Sequence, residues 1–154
     1  MRPNRCHEFV REALAKAPDI QAVDTWEGRA FGLHITFTTG SQIWAGMTFA
    51  AAPGDKGDGP ETPVHGETPA EVPMPELFKD GKVSPTGAEV YLAAALTNAH
   101  CDEVESAYPY GSEAKNSGVG LRFHSGARAF ILFELAGRPG QSAGGQKYNL
   151  PAAF

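Results

Sequence analysis

Two stretches of alternating apolar and polar residues, one in each half of the chain, constrain its fold most strongly. Each stretch is divided into two arms by a glycine-containing turn, TTGS at Gly40 and HSGA at Gly126. An alternation with a period of two residues is typical of a strand that buries one face. Each stretch therefore predicts a β-hairpin.

The positions of the apolar residues also predict how the arms of the first hairpin pair. A two-residue loop would mix apolar and polar side chains on both faces, whereas a three-residue loop gathers the apolar side chains on one face. Those side chains are Phe31, Leu33, Ile35, Phe37, Ile43, Ala45, Met47 and Phe49. We therefore predict a three-residue turn in which Gly40 is left-handed, a conformation that glycine adopts without steric cost.

A helix is predicted before each hairpin. Asn4 is suited to capping the first helix, and apolar residues recur at helical spacing over 6–17. Ser84 and Pro85 form a favourable helix start, and the second helix is expected to reach about His100. Its apolar residues surround most of the helix, which predicts close packing on more than one side.

Short strands at 20–26 and 104–108 complete a repeated order of one helix and three strands. We predict a single α+β domain over 1–154, in which two α-β-β-β halves form a mainly antiparallel sheet packed against two helices. The two hairpins have matching glycines and a matching aromatic position. Either an internal duplication or a coincidental similarity of supersecondary units accounts for this likeness.

Two further segments lack the pattern of helix or strand. The Pro- and Gly-rich segment 53–83 carries seven carboxylates against three lysines, and so holds most of the formal net charge of −5. Its composition is typical either of a mobile spacer or of a segment that binds a partner. Residues 137–154 are expected to form an irregular C-terminal tail, whose Tyr148, Leu150 and Phe154 are suited to docking on a partner subunit.

Charge and hydropathy exclude several classes of protein. No apolar run approaches the roughly 20 residues that cross a bilayer, so we expect no membrane-spanning segment. The excess of acidic residues argues against a nucleic-acid-binding protein, whose affinity would require surplus Lys and Arg. Charges at Arg5, Glu8 and Arg11 interrupt any secretory signal. We expect a cytoplasmic protein, or a virion protein if the chain is phage-encoded, with Cys6 and Cys101 as free thiols.

The sequence predicts no catalytic residue, no metal site and no cofactor. The pairs Cys6-His7 and His100-Cys101 contain residue types that bind zinc. Adjacent helical side chains diverge by about 100°, however, and do not converge easily on one ion. The segment GRPGQSAGGQK lacks both the spacing and the hydroxyl of a phosphate-binding loop.

The side of the hairpins opposite their apolar residues is the candidate binding surface. Trp44 and Phe130 occupy matching positions there among Arg and His residues, a combination typical of the centres of protein interfaces. The predicted partner-binding residues are His34, Thr36, Trp44, Arg122, His124, Arg128, Phe130 and Leu132. Alternatively, the helices or the Pro-rich segment cover this side and make it a second core.

These observations favour a non-enzymatic, adaptor-type protein that binds a protein partner or a second copy of itself through the outer face of its hairpins. The repeated α-β-β-β order is similar, at the level of the fold alone, to that of small bacterial chaperone-like and adaptor proteins. One alternative is a structural subunit of a phage or mobile-element assembly, in which the Pro-rich segment and the tail contact neighbouring subunits. A small enzyme of unidentified chemistry is a second alternative.

Overall fold

A computed structural model describes all 154 residues and contains two helices and six strands. In chain order these are α1 (Pro3–Ala15), β1 (Ile20–Trp26), β2 (Gly32–Phe37), β3 (Gln42–Ala50), α2 (Pro85–Thr97), β4 (Val104–Pro109), β5 (Gly118–Phe123) and β6 (Arg128–Gly137). The strands form one antiparallel sheet in the order β1-β2-β3-β6-β5-β4. The predicted α+β class is therefore confirmed.

Both helices pack on the same face of this sheet. Helix α1 contacts β1 and β3, α2 contacts β4 and β5, and the two helices touch each other. Most of the inward-facing apolar side chains of both hairpins are buried beneath them, together with one face of α1 and most of α2, whereas Phe31 and Phe49 are only partly buried. The predicted close packing of α2 is confirmed, because eight of its residues are buried. Neither helix has the length and apolarity that crossing a membrane would require.

The two halves join where β3 pairs with β6 in the middle of the sheet. The pairing runs from Gln42 opposite Gly137 to Ala50 opposite Arg128, with a bulge on β6 at Glu134. This long central ladder places the outward-facing side chains of one hairpin directly beside those of the other.

The predicted three-residue turn of the first hairpin is confirmed. Ile35 lies opposite Ile43, the Phe37 amide donates to the Ser41 carbonyl, and Gly40 has a φ of 89°. The second hairpin turns in the same way, with Gly126 also at a φ of 89°. This shared geometry extends the likeness between the halves, but it does not by itself establish an internal duplication.

The ends of the helices follow the sequence only in part. The prediction that Asn4 caps α1 is wrong, because Pro3 occupies the first turn, where its missing amide costs nothing, and Asn4 lies inside the helix. The predicted start of α2 is confirmed, since Ser84 Oγ accepts a hydrogen bond of 3.0 Å from the Gly87 amide. Helix α2 ends at Thr97, three residues before the predicted His100, which has a positive φ of 55°.

The Pro-rich segment follows the surface of the domain without forming a helix or an extended strand. The guanidinium of Arg2 binds the Asp55 carboxylate, and the side-chain amide of Asn98 bonds both the amide and the carbonyl of Val72. Polar contacts thus tie this segment to the start of α1 and to the end of α2.

The C-terminal tail docks on its own domain. Phe154 is only 2% exposed, and its backbone exchanges two hydrogen bonds with Val83, of 2.7 and 2.9 Å. Leu150 packs partly against the core, whereas Tyr148 is exposed. Two of the three side chains that we expected on a partner subunit therefore contact the chain's own core.

Candidate functional site

The eight predicted partner-binding residues fall into three groups. His34, Thr36 and Trp44 lie on β2 and β3, and four more lie on β5 and β6. His124 lies in the turn between β5 and β6. The first two groups share the face of the sheet turned away from the helices, which we call the outer face.

Trp44 is covered by the chain's own tail. The indole of Trp44 stacks on the His34 ring at a centroid distance of 4.9 Å. Gly137 lies against the six-membered ring of the same indole. The side-chain amide of Gln42 donates to the carbonyls of Arg138 and Gln141, which holds the tail in place. Trp44 is only 4% exposed, whereas His34 and Thr36 on the same half remain partly exposed. The covering element is neither a helix nor the Pro-rich segment, the two that we considered from the sequence.

An ion cluster around the buried Glu134 carboxylate lies on the outer face. The Glu134 carboxylate is 1% exposed and lies 2.9 Å from Arg29 Nη1 and 3.2 Å from Lys147 Nζ. Arg29 reaches it by crossing Gly46, where any Cβ atom would overlap the guanidinium. Because two cations compensate the buried carboxylate, the cluster attaches both the β1–β2 loop and the tail to the sheet.

The other half of the outer face contains two arginines that stack on aromatic rings. The Arg122 Cζ lies 4.4 Å from the Tyr108 ring centroid, and the Arg128 Cζ lies 5.4 Å from that of Phe130. Arg128 Nη2 also donates a hydrogen bond of 3.1 Å to Tyr108 Oη. We call Tyr108, Arg122, Arg128, Phe130 and Leu132 the arginine–aromatic patch.

The two arginines of this patch have no anionic partner within the chain. Arg122 and Arg128 lie directly opposite each other on β5 and β6, and no carboxylate oxygen is within 4.0 Å of either guanidinium. The Nε atom of Arg128 is buried and has no hydrogen-bond acceptor. The patch therefore holds two uncompensated positive charges. Like charges directly opposite each other on a sheet are destabilising.

Sequence reasoning missed Tyr108, which positions both arginines of the patch. Tyr108 lies opposite Gly120 across β4 and β5, and a Cβ atom at Gly120 would overlap its ring. Gly120, a glycine in the middle of β5, is the signal that could have indicated this close approach. The tyrosine thus lies flat on the outer face because the neighbouring strand offers no side chain there.

His124 faces the Pro-rich segment and not the arginine–aromatic patch. Its Nε2 lies 2.9 Å from the Glu67 carbonyl oxygen, and its ring packs on Gly66. Nearby, His65 Nδ1 lies 2.9 Å from the Asp102 carboxylate, and this hydrogen bond raises the pKa of His65. Both histidines therefore hold the middle of the Pro-rich segment against the domain.

The His, Cys, Asp and Glu side chains form no metal-binding cluster, and one of the two thiols is buried. No group of three or more His, Cys, Asp and Glu side chains is placed to hold a metal ion. Cys6 is buried in the core, and burial raises the pKa of its thiol to about 12. A thiol with this pKa stays protonated at neutral pH and is a poor nucleophile.

Two cavities lie away from the outer face. One, of about 530 Å³, opens between the C-terminal ends of the two helices and is lined by Phe9, Ala95 and Met74, among others. Another, of about 540 Å³, lies between the start of α1 and the Pro-rich segment. Each is bounded on one side by the Pro-rich segment.

Comparison with protein-family models, with curated proteins and with solved structures found no match for this chain.

Proposed function

We propose that the protein is a non-enzymatic protein-binding module and that its partner binds the arginine–aromatic patch. One observation carries this proposal: Arg122 and Arg128 lie opposite each other, stacked on aromatic rings, with no carboxylate of their own chain beside them. Such an arrangement costs stability in the isolated domain. Contact with a partner would remove that cost.

The composition of the patch supports the same proposal. Phe130 and Leu132 are partly exposed beside the two arginines. Arginine and aromatic residues are enriched at the centres of protein interfaces, where a few of them carry most of the binding free energy. Because Trp44 is buried and Arg122 is exposed, the proposed contact surface is centred on β5 and β6.

The binding module is preferred to a subunit of a phage or mobile-element assembly. The assembly would use the tail and the Pro-rich segment to reach neighbouring subunits. Here both segments direct their anchoring contacts to their own domain, through Phe154 and Val83 and through Arg2 and Asp55. A cytoplasmic location is part of the proposal and is supported by the two unpaired cysteines.

Truncation of Phe130 tests the proposal. A partner is first recovered from an extract of the source organism with the immobilised protein, and its affinity is then measured by calorimetry. We expect Phe130→Ala to weaken binding at least tenfold while circular dichroism shows a folded domain. The matched control is Val90→Ala, which truncates a residue on α2 that is 46% exposed, and it should bind within twofold of the wild type. Equal affinities for Phe130→Ala and the wild type would overturn the proposal.

A further inference from the structure

We infer that the arginine–aromatic patch recognises an acidic, extended segment of its protein partner, with carboxylates of that segment paired to Arg122 and Arg128. This inference rests on the proposed function and adds the chemistry of the ligand. Charge complementarity carries it, because these two guanidiniums lack any anion within the chain.

The two arginines differ in how many donors they can offer to a carboxylate. Arg122 is exposed, stacks on Tyr108 and makes no side-chain hydrogen bond within the chain, so its whole guanidinium is available. Arg128 uses Nη2 for Tyr108 Oη and its Nε is buried, so it would meet a ligand through its remaining Nη donors. A guanidinium presents its donors in a planar fork that matches the two oxygens of a carboxylate. Such charge-assisted hydrogen bonds are stronger than hydrogen bonds between neutral groups.

The aromatic rings also reduce the entropy that binding would cost. Long side chains such as arginine lose conformational entropy when an interface immobilises them. Here Tyr108 and Phe130 already support the two guanidiniums. Directly opposite residues of antiparallel strands have Cα atoms about 4.5–5.5 Å apart, so both charges face one small area. The site is thus partly organised before its ligand arrives.

The spacing along β6 indicates an extended ligand. Arg128, Phe130 and Leu132 alternate along the strand and share the outer face. In an extended peptide every second side chain points to the same side, at intervals of about 7 Å. An acidic residue over the Arg122–Arg128 pair, which lies at one level of the sheet, therefore brings the following alternate residues over Phe130 and Leu132. The ligand therefore combines carboxylates with apolar side chains at alternate positions.

A defined peptide tests the inference. The probe is a fluorescein-labelled peptide, Ser-Glu-Ser-Glu-Ser-Phe-Ser-Leu, and binding to the whole protein is followed by fluorescence anisotropy. We expect Arg122→Gln and Arg128→Gln each to weaken binding at least tenfold. Lys79→Gln removes the same charge from an exposed position of the Pro-rich segment and should change the affinity less than twofold. If Arg128→Gln disturbs folding through the lost Tyr108 contact, the affinity of Arg122→Gln for the peptide decides the result, because Arg122 is exposed.

Two further ligands separate carboxylate recognition from its competitors. A peptide with Gln in place of both Glu residues should bind at least tenfold more weakly. An eight-nucleotide single-stranded DNA should also bind more weakly than the Glu peptide, and tighter binding of the DNA would overturn the inference. Self-association that Arg122→Gln abolishes, measured by sedimentation, would overturn it in favour of a second copy as the ligand.

The two experiments fail in distinguishable ways. If the Glu peptide does not bind, or binds no better than the Gln peptide, the acidic ligand is wrong. The Phe130→Ala comparison with the recovered partner still stands in that case, because it makes no assumption about the charge of the partner. If Phe130→Ala leaves partner binding unchanged, the proposed function itself fails.

Discussion

Arg29 Nη1 lies 2.9 Å from Glu134 Oε2, and the arginine reaches this carboxylate by crossing the bare backbone of Gly46. The contact links the β1–β2 loop to the centre of the sheet. It exists only because residue 46 has no side chain.

Substitution Gly46→Ala should therefore destabilise the domain. The new methyl group would overlap Arg29 and Glu134, and a buried carboxylate that loses one of its cations is costly. We expect the free energy of unfolding to fall by about 2–4 kcal/mol, as for overpacking and for a broken buried ion pair. Urea denaturation measures the change. Gly59→Ala is the control, because a Cβ atom there meets nothing within 4 Å, and a comparable loss in this variant would contradict the explanation.

Removal of the Glu89 carboxylate should loosen the β4–β5 loop. Glu89 is 2% exposed on α2 and accepts hydrogen bonds from the amides of Gly118, at 2.8 Å, and Gly111, at 3.2 Å. Glu89→Ala leaves both amides without an acceptor and should cost about 3 kcal/mol. Hydrogen exchange at Gly118 should accelerate. Glu113→Ala, at an exposed position of the same loop, should change neither quantity, and unchanged exchange in Glu89→Ala would refute this role.

Attachment of the Pro-rich segment should weaken as the pH rises. The Asp102 carboxylate raises the pKa of His65 above its ordinary value of about 6.5. Because the pKa of His65 is higher in the attached form, protonation of His65 stabilises the attachment. This contribution is complete at a pH below the pKa of the detached form, and it disappears as the pH rises through the pKa of the attached form. Proton NMR should show the pKa of His65 falling towards its ordinary value in Asp102→Asn. Limited proteolysis gives the ratio of the cleavage rate of the segment at pH 8 to its rate at pH 6. This ratio should be larger in the wild type than in Asp102→Asn. An equal ratio in both proteins would count against the contact.

The two cysteines should differ in their reactivity. Cys6 is buried and its thiol has a pKa of about 12, whereas Cys101 is partly exposed. Thiolate formation and access both control alkylation, so only Cys101 should react with iodoacetamide in the folded protein. Peptide mass spectrometry identifies the modified residue, and alkylation in urea should reach both. Rapid modification of Cys6 without denaturant would show that the start of α1 opens.

Local patterns in the sequence predicted the hairpins because the determining interactions are themselves local. Alternation over a few residues selects the buried face, and a glycine at position 40 or 126 permits the left-handed turn residue. The failure at Asn4 has the same origin, since two good starting residues compete within one turn and Pro3 prevails. Element type and hairpin register could therefore be derived without the structure.

The candidate site was predictable only in part, because its parts come from distant places in the chain. Phe130, Leu132 and the two arginines follow from the alternation of β5 and β6 alone. Burial of Trp44 depends on a tail that begins about ninety residues further on and is held by Gln42. No periodicity of β3 predicts that contact, just as none predicts that Arg29 and Lys147 meet at Glu134.

Both tryptophans of the chain lie on the outer face. Trp44 lies beneath Gly137, and Trp26, which pairs with Gly32, has the Lys147 ammonium 5.6 Å from its ring. The helix-covered core contains none. The tryptophan fluorescence of this protein therefore reports on one side of the sheet. A shift in its emission on adding a ligand would indicate movement of the tail or of the outer face, and not a change in the packing of the helices.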